Sequence, residues 1–103
     1  MKFVLEYTDR AGGNVADNLM AGESAQKLLS SWAPNPAATI HQWVQRCDGS
    51  GGFAVLETDD AAALYKDVAT WTPWLEFRLH PVLDILEASP LTDEALATAR
   101  SVV

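Results

Sequence analysis

Two histidines, one arginine and one glutamate are the side chains best suited to acid–base chemistry in this sequence. His80 and Arg78 lie two residues apart in a segment that alternates polar and apolar residues, and Glu6 lies in another such segment. Histidine is the side chain that most readily moves a proton near neutral pH. In a catalytic interpretation His80 or His41 is the base, Arg78 holds an anionic intermediate and Glu6 orients the base. The structural alternative is a cross-strand ion pair with a histidine at a subunit boundary.

Aromatic residues form the second group with chemical potential. The chain has four tryptophans, and Trp32, Trp71 and Trp74 fall at predicted helix ends or loops. Together with Tyr7 of the first strand they can wall a pocket for a flat organic ligand between helices and sheet. The alternative is that the tryptophans fill a small core and seal a subunit contact.

Three glycines in the segment 48–52 have two possible roles. A phosphate cradle is disfavoured because a strand follows them and no Gly-Lys-Ser/Thr is present. A hairpin turn is favoured because glycine adopts positive φ readily. Asp48 lies at the opposite end of the next strand from Asp59 and Asp60, so the three carboxylates do not predict a metal site. Helix capping is the better interpretation of Asp59 and Asp60. The lone Cys47 has no zinc-ligand neighbours and is expected to be a small packed hydrophobe.

Composition excludes several classes of function. The net charge is −7 with seven basic residues, which disfavours nucleic acid and anionic membrane surfaces as partners. No apolar run approaches the ~20 residues that span a bilayer. The N-terminal segment has a charged residue within its apolar stretch, so it is interpreted as a strand and not a signal peptide. These features predict a cytoplasmic protein without cofactor or metal.

Periodicity predicts the secondary structure. Period-two alternation and β-branched or aromatic residues indicate strands at 2–8, 38–47, 53–57 and 75–82. Helical stripes indicate helices at 15–32, after a possible cap at Asn14, and at 59–69, and a short last helix follows a possible cap at 92–94. The order β-α-β-β-α-β predicts a ferredoxin-like α+β fold with a four-stranded antiparallel sheet and two helices on one face. Residues 1–88 form this domain and 89–103 a C-terminal tail.

Five motifs carry a resemblance to a known family. They are Met-Lys-Phe-Val at the start, Trp32 followed closely by prolines, Arg46-x-Asp-Gly-x-Gly-Gly-Phe-x-x-x-Glu-Thr-Asp-Asp60, Trp71-x-Pro-Trp74 and Pro81-Val-x-Asp-Ile85. Over residues 1–88 the chain resembles a family of small bacterial proteins known only as a domain of unknown function. That family is similar to the dimeric α+β-barrel superfamily, which includes cofactor-independent monooxygenases, isomerases, dehalogenating enzymes and polyketide cyclases. The resemblance implies the fold, dimerisation and a pocket between helices and sheet.

The sheet face without helices also predicts a dimer. Pairing Cys47 with Phe53 in the hairpin places apolar side chains on that face, namely Val4, Trp43, Phe53 and Val55. Such a face is too apolar to remain in water, and a second copy covers it most simply. The rival is a monomer whose C-terminal segment covers the face. The predicted protein is thus a homodimer that binds a small hydrophobic or aromatic metabolite, as an oxygenase, isomerase or cyclase or as a non-catalytic binding or structural dimer.

Overall fold

A computed structural model describes residues 1–10 and 12–103 and gives a βαββαβ order followed by a further helix. The elements in chain order are β1 (Lys2–Asp9), α1 (Val15–Ser31), β2 (Thr39–Gln45), β3 (Gly51–Glu57), α2 (Ala61–Trp71), β4 (Leu75–Val82) and α3 (Ile85–Arg100). The four strands form one antiparallel sheet in the order β2-β3-β1-β4. The predicted ferredoxin-like α+β fold is confirmed.

The strand order explains one unusual residue. β4 is an edge strand that pairs with β1 alone, and Pro81 lies opposite Phe3 near its end. Proline has no N–H for a sheet ladder, so an edge strand is where it is tolerated. The predicted bounds of this strand agree with those of the structure.

Side-chain caps fix where the first two helices begin. Asn14 accepts a hydrogen bond from the backbone N–H of Asp17 at 2.9 Å, and Asp60 accepts one from Ala63 at 3.0 Å. Each cap satisfies a donor that the first helical turn would leave without a partner. Both caps were expected from the sequence, although α2 extends two residues beyond its predicted end and includes Trp71.

The glycine-rich segment between β2 and β3 is a hairpin turn, as predicted. Gly49 has a φ of +76°, and its N–H bonds the carbonyl of Arg46 at 3.0 Å. Asp48 accepts bonds from the N–H and the hydroxyl of Ser50, and it also pairs with the Arg46 guanidinium. These local bonds hold the turn in place.

A one-residue bulge corrects the predicted faces of β2. Ile40 pairs with Leu56 and Gln42 with Val55, so His41 is the extra residue between them. Beyond a bulge the alternation of side chains changes phase. Trp43 therefore lies opposite Ala54 on the helix-covered face, and its predicted place on the open face is wrong.

The same phase change places Val44 opposite Phe53, where the sequence predicted Cys47. Cys47 lies beyond the end of β2 and is exposed, so its predicted packed environment is also wrong.

The core lies between α2 and the sheet. Its buried side chains are Leu5, Tyr7, Ala54, Leu56 and Leu64. On α2 the predicted stripe holds for Leu64 and Val68, whereas Tyr65 is exposed. Helix α1 contributes no buried residue, although it lies over the same face of the sheet. Helix α2 therefore packs tightly on the sheet, whereas α1 is packed only loosely.

The C-terminal helix is longer than expected. α3 begins at Ile85, so the predicted domain boundary at residue 88 falls within it, and it continues through Pro90. None of its residues is buried, and the molecule measures 61 × 30 × 22 Å. The carbonyl that loses a partner at Pro90 can bond water instead. Across the described part of the chain no helix combines the length and apolarity that a membrane crossing requires.

Candidate functional site

All four tryptophans belong to one connected cluster on the helix-covered face. Trp71 is at its centre, with ring centroids 5.6 Å from Trp32, 6.4 Å from Trp43 and 6.1 Å from Trp74. The four rings meet edge to face, and only 8% of Trp71 is exposed. Each such pair stabilises the fold by about 0.5–1.5 kcal/mol beyond its buried area. The cluster joins the end of α1, the end of α2 and β2.

The hydroxyl of Tyr7 ties this cluster to the sheet. It accepts a hydrogen bond from Trp43 Nε1 at 3.1 Å and lies 2.9 Å from Gln45 Oε1 and 3.1 Å from the Val44 carbonyl oxygen, either of which can accept its proton. The Tyr7 side chain passes over Gly52. A Cβ atom on Gly52 would lie 2.3 Å from the Tyr7 hydroxyl oxygen. Burial raises the pKa of Tyr7, the bond from Trp43 opposes that rise, and the nearby charge of Asp9 adds to it. Tyr7 is therefore a fixed, neutral wall of the site at neutral pH.

The apolar cavity beneath α2 is too small for a metabolite. Its walls include Tyr7, Trp32 and Trp71 of the predicted pocket, together with Trp43, and its volume is about 60 Å³. Ligand pockets for drug-sized molecules measure about 300–1,000 Å³. Three of the four predicted pocket residues thus meet here, but they fill most of the space themselves.

Two larger grooves lie beneath α1. One has a volume of about 520 Å³ and the other about 380 Å³, and both are lined by Asp9, Gly22, Ala25, Trp71 and Leu75. The first is bounded in addition by Tyr7, Leu29, Trp43 and Gln45, and the second by Arg10, Asn18 and Trp74. We call these adjoining grooves the α1 slot. Trp74, the fourth predicted pocket residue, lines this slot and not the apolar cavity beneath α2.

Small residues on the underside of α1 create the slot. A Cβ atom on Gly22 would meet nothing within 4 Å, and Ala25 offers only a methyl group to the space above the Trp71 ring. The indole N–H of Trp74 donates to the Ser24 hydroxyl at 3.2 Å, which holds the helix to the cluster from one side. The helix is consequently supported over the aromatic rings without being packed onto them.

The opposite face of the sheet carries an exposed apolar centre. Val4 lies in register with Val55, and Phe53 lies in register with Val44. Phe53 is 39% exposed and Val44 43% exposed. We call these four residues the open-face patch. It retains three of the four predicted dimer-face residues and has Val44 in place of Trp43.

Two histidine–glutamate pairs flank the open-face patch. His41 Nε2 lies 3.0 Å from Glu57 Oε1, and His80 Nε2 lies 3.6 Å from Glu6 Oε2. Arg78 is in register with Glu6 on the same face. The expected pairing of Glu6 across strands therefore occurs with His80. Exposed pairs of this kind stabilise a fold by about 0–1 kcal/mol.

The sheet separates the candidate acid–base residues from the aromatic pocket residues. Glu6 and Tyr7 are adjacent in β1, and successive side chains of a strand point to opposite faces. His80, Arg78 and Glu6 thus lie on one face of the chain and the α1 slot on the other. None of the grooves described above is lined by a histidine. A single chain does not bring the two predicted groups together.

Sequence reasoning missed three contributors to the slot. The sequence predicts the wrong face for Trp43, because the residues that form the bulge in β2 do not differ in type from those of a regular strand. Gly22 and Asp9 belong to no motif that indicates a binding site. Small residues on a helix stripe opposite several tryptophans are the signal that indicates such a gap. Within residues 1–10 and 12–103, no three His, Cys, Asp or Glu side chains are grouped closely enough to hold a metal ion.

The fold and the aromatic site define a ferredoxin-like α+β domain with a groove between α1 and the sheet. Comparison with protein families identifies it further: residues 1–96 match the model described as "Domain of unknown function (DUF3303)". The chain belongs to this family, which confirms the expected membership of a domain family of unknown function. No curated protein matches the chain.

Proposed function

We propose that the protein is a cytoplasmic homodimer that binds a small aromatic or hydrophobic metabolite in the α1 slot. The observation that carries the ligand role is the slot itself: two adjoining grooves of about 520 and 380 Å³ above the Trp71 ring. Spaces of this size, with apolar and aromatic walls and few polar groups, are typical of small-molecule sites. The walls on the sheet side are already rigid, because the tryptophan and Tyr7 rings hold one another in place.

A second apolar groove is a weaker candidate for the ligand site. It lies beside α2, measures about 560 Å³ and is lined by residues such as Phe3, Tyr65 and Leu79. No tryptophan lines it, and Tyr65 is 74% exposed, so its wall is not held by neighbouring rings. The rigid indole walls favour the α1 slot.

The dimer in this proposal forms through the open-face patch. Apolar side chains at the centre of a sheet face, with charged pairs around them, resemble the core and rim of a protein interface. In an isologous contact each subunit contributes the same face, so Phe53 and Val44 of both copies would be buried. It would also give the face-to-face arrangement of the dimeric α+β-barrel superfamily, to which we propose the family belongs.

Binding without catalysis is the form of the proposal that the geometry favours. A ligand in the α1 slot is separated by the sheet from His80, Arg78 and Glu6 of its own chain. Cofactor-independent oxygenase, isomerase or cyclase chemistry by these residues would require a substrate between the two sheets of the dimer. The flanking charged pairs are sufficiently explained as an interface rim.

The ligand role is tested by filling the slot. Gly22→Leu adds a side chain to the open space beneath α1, while replacing a helical glycine removes a penalty of about 1 kcal/mol. We expect the neutral fluorescent probe N-phenyl-1-naphthylamine to bind the wild-type protein and to lose at least about tenfold in affinity with this variant.

The matched control is Ala16→Leu, which adds the same kind of side chain at an exposed position of α1 outside the slot. Circular dichroism would establish that both variants fold. Equal probe affinity for wild type, Gly22→Leu and Ala16→Leu would contradict the proposal and favour the groove beside α2.

A further inference from the structure

The α1 slot carries an excess of negative charge. Asp9 lines both grooves and is the charged residue among those that line the larger one. Among the described residues, no side chain or backbone N–H bonds its carboxylate. The backbone that carries Asp9 is held in place, because β1 ends here and the Asp9 N–H bonds the Ser50 carbonyl at 3.0 Å.

The neighbouring positive charge is already engaged. Arg10 lines the smaller groove, but its Nε donates to the Thr72 carbonyl at 2.6 Å and its Nη1 lies 3.4 Å from Glu76 Oε1. With Arg10 matched by Glu76, the slot retains the negative charge of Asp9. An anionic ligand would be repelled there, and a neutral one would cover the carboxylate without giving it a partner.

The aromatic walls of the slot also favour a positively charged ligand. Tyr7, Trp43 and Trp71 line the groove that also holds Asp9. The face of an aromatic ring attracts a cation, most strongly in the case of tryptophan, and such rings around a carboxylate recognise ammonium groups. The net charge of −7 would also draw cations toward the molecule.

We propose that the ligand of the α1 slot is an organic cation, an amine or quaternary ammonium joined to an apolar or aromatic body. The cation lies between the Asp9 carboxylate and the indole rings, and the apolar body lies beneath Gly22 and Ala25. This inference rests on the proposed ligand role of the slot and adds the charge of the ligand to it.

The test uses two probes that differ only in charge. Phenyltrimethylammonium and tert-butylbenzene have nearly the same shape, and tryptophan fluorescence reports the binding of either. We expect the cation to bind about tenfold more tightly at low ionic strength, and the difference to narrow as salt is added. In Asp9→Asn the ratio of the two affinities falls at least about threefold, to what the aromatic rings alone provide, whereas the matched charge change Asp93→Asn, on α3, retains the wild-type ratio.

The outcomes distinguish a failure of the predicted ligand charge from a failure of the proposed ligand-binding role of the α1 slot. Equal or tighter binding of tert-butylbenzene by the wild-type protein overturns the cation inference and leaves the ligand role intact. A preference for the cation that is undiminished in Asp9→Asn overturns the role assigned to that carboxylate. If neither probe binds and N-phenyl-1-naphthylamine does not bind either, the ligand role fails together with the inference.

Discussion

Gly52→Ala is expected to destabilise the sheet strongly. Gly52 lies in β3 between Tyr7 of β1 and Gln45 of β2. A Cβ atom there would stand 2.1 Å from the Val44 carbonyl oxygen and 2.3 Å from the Tyr7 hydroxyl. Contacts this short force either the strand or the tyrosine ring to move.

The loss of stability in Gly52→Ala follows from the contacts that the new methyl group displaces. Moving the Tyr7 ring breaks its bonds with Trp43 and Gln45, at about 0.5–1.5 kcal/mol each. Displacing the Val44 carbonyl strains the ladder between β2 and β3, and overpacking of this kind costs about 1–3 kcal/mol. The free energy of unfolding should therefore fall by about 2–6 kcal/mol, a large part of the 5–15 kcal/mol that is typical of a domain.

Gly49→Ala is the matched control for this effect. Gly49 adopts a φ of +76°, and a Cβ atom there would meet nothing within 4 Å. Its penalty is conformational alone, about 1–2 kcal/mol. Urea unfolding followed by circular dichroism compares the two variants with wild type, with the denaturant slope as a check on two-state behaviour. A Gly52→Ala loss no greater than that of Gly49→Ala would refute the argument from close contact.

Two further predictions concern the open face and the pH dependence of stability. Phe53→Glu introduces a charge into the open-face patch, so sedimentation velocity should show the dimer dissociating, whereas Tyr65→Glu on α2 should not change the particle mass. Lys2 bonds Asp84 at 2.7 Å, which lowers the pKa of Asp84 and raises that of Lys2. The stability from the carboxylate is present above its unfolded pKa of about 4 and is lost as pH falls, so Asp84→Asn should flatten the acid side of a stability–pH profile. An unchanged acid slope would show that the pair does not persist in solution.

Local signals were sufficient for most of the fold. The alternation of apolar residues located the strands, and Asn14 and Asp60 act as the caps that their side chains suggested. Glycines at the hairpin and Pro81 on an edge strand have the roles that backbone chemistry predicts. These features depend on neighbours in sequence, which is why they could be inferred without the structure.

The face of Trp43 could not be inferred because it depends on contacts distant in sequence. The bulge at His41 allows this indole to meet Trp71 and the Tyr7 hydroxyl, and nothing in the β2 segment itself specifies those partners. The α1 slot was missed for the same reason, since a gap beneath Gly22 exists only once α2 has placed Trp71 below it. Packing between elements, and not local propensity, defines this site.

The location of the ligand is the most direct test of the account. The four tryptophan indole N–H groups give separate signals in a ¹⁵N–¹H correlation spectrum, which Trp→Phe variants would assign. On titration with phenyltrimethylammonium, we expect the signals of Trp71, Trp43 and Trp74 to shift in a saturable manner, together with the backbone amide of Gly22. Shifts confined to Phe53 and Val44 on the open face, with the indole signals unchanged, would contradict the account.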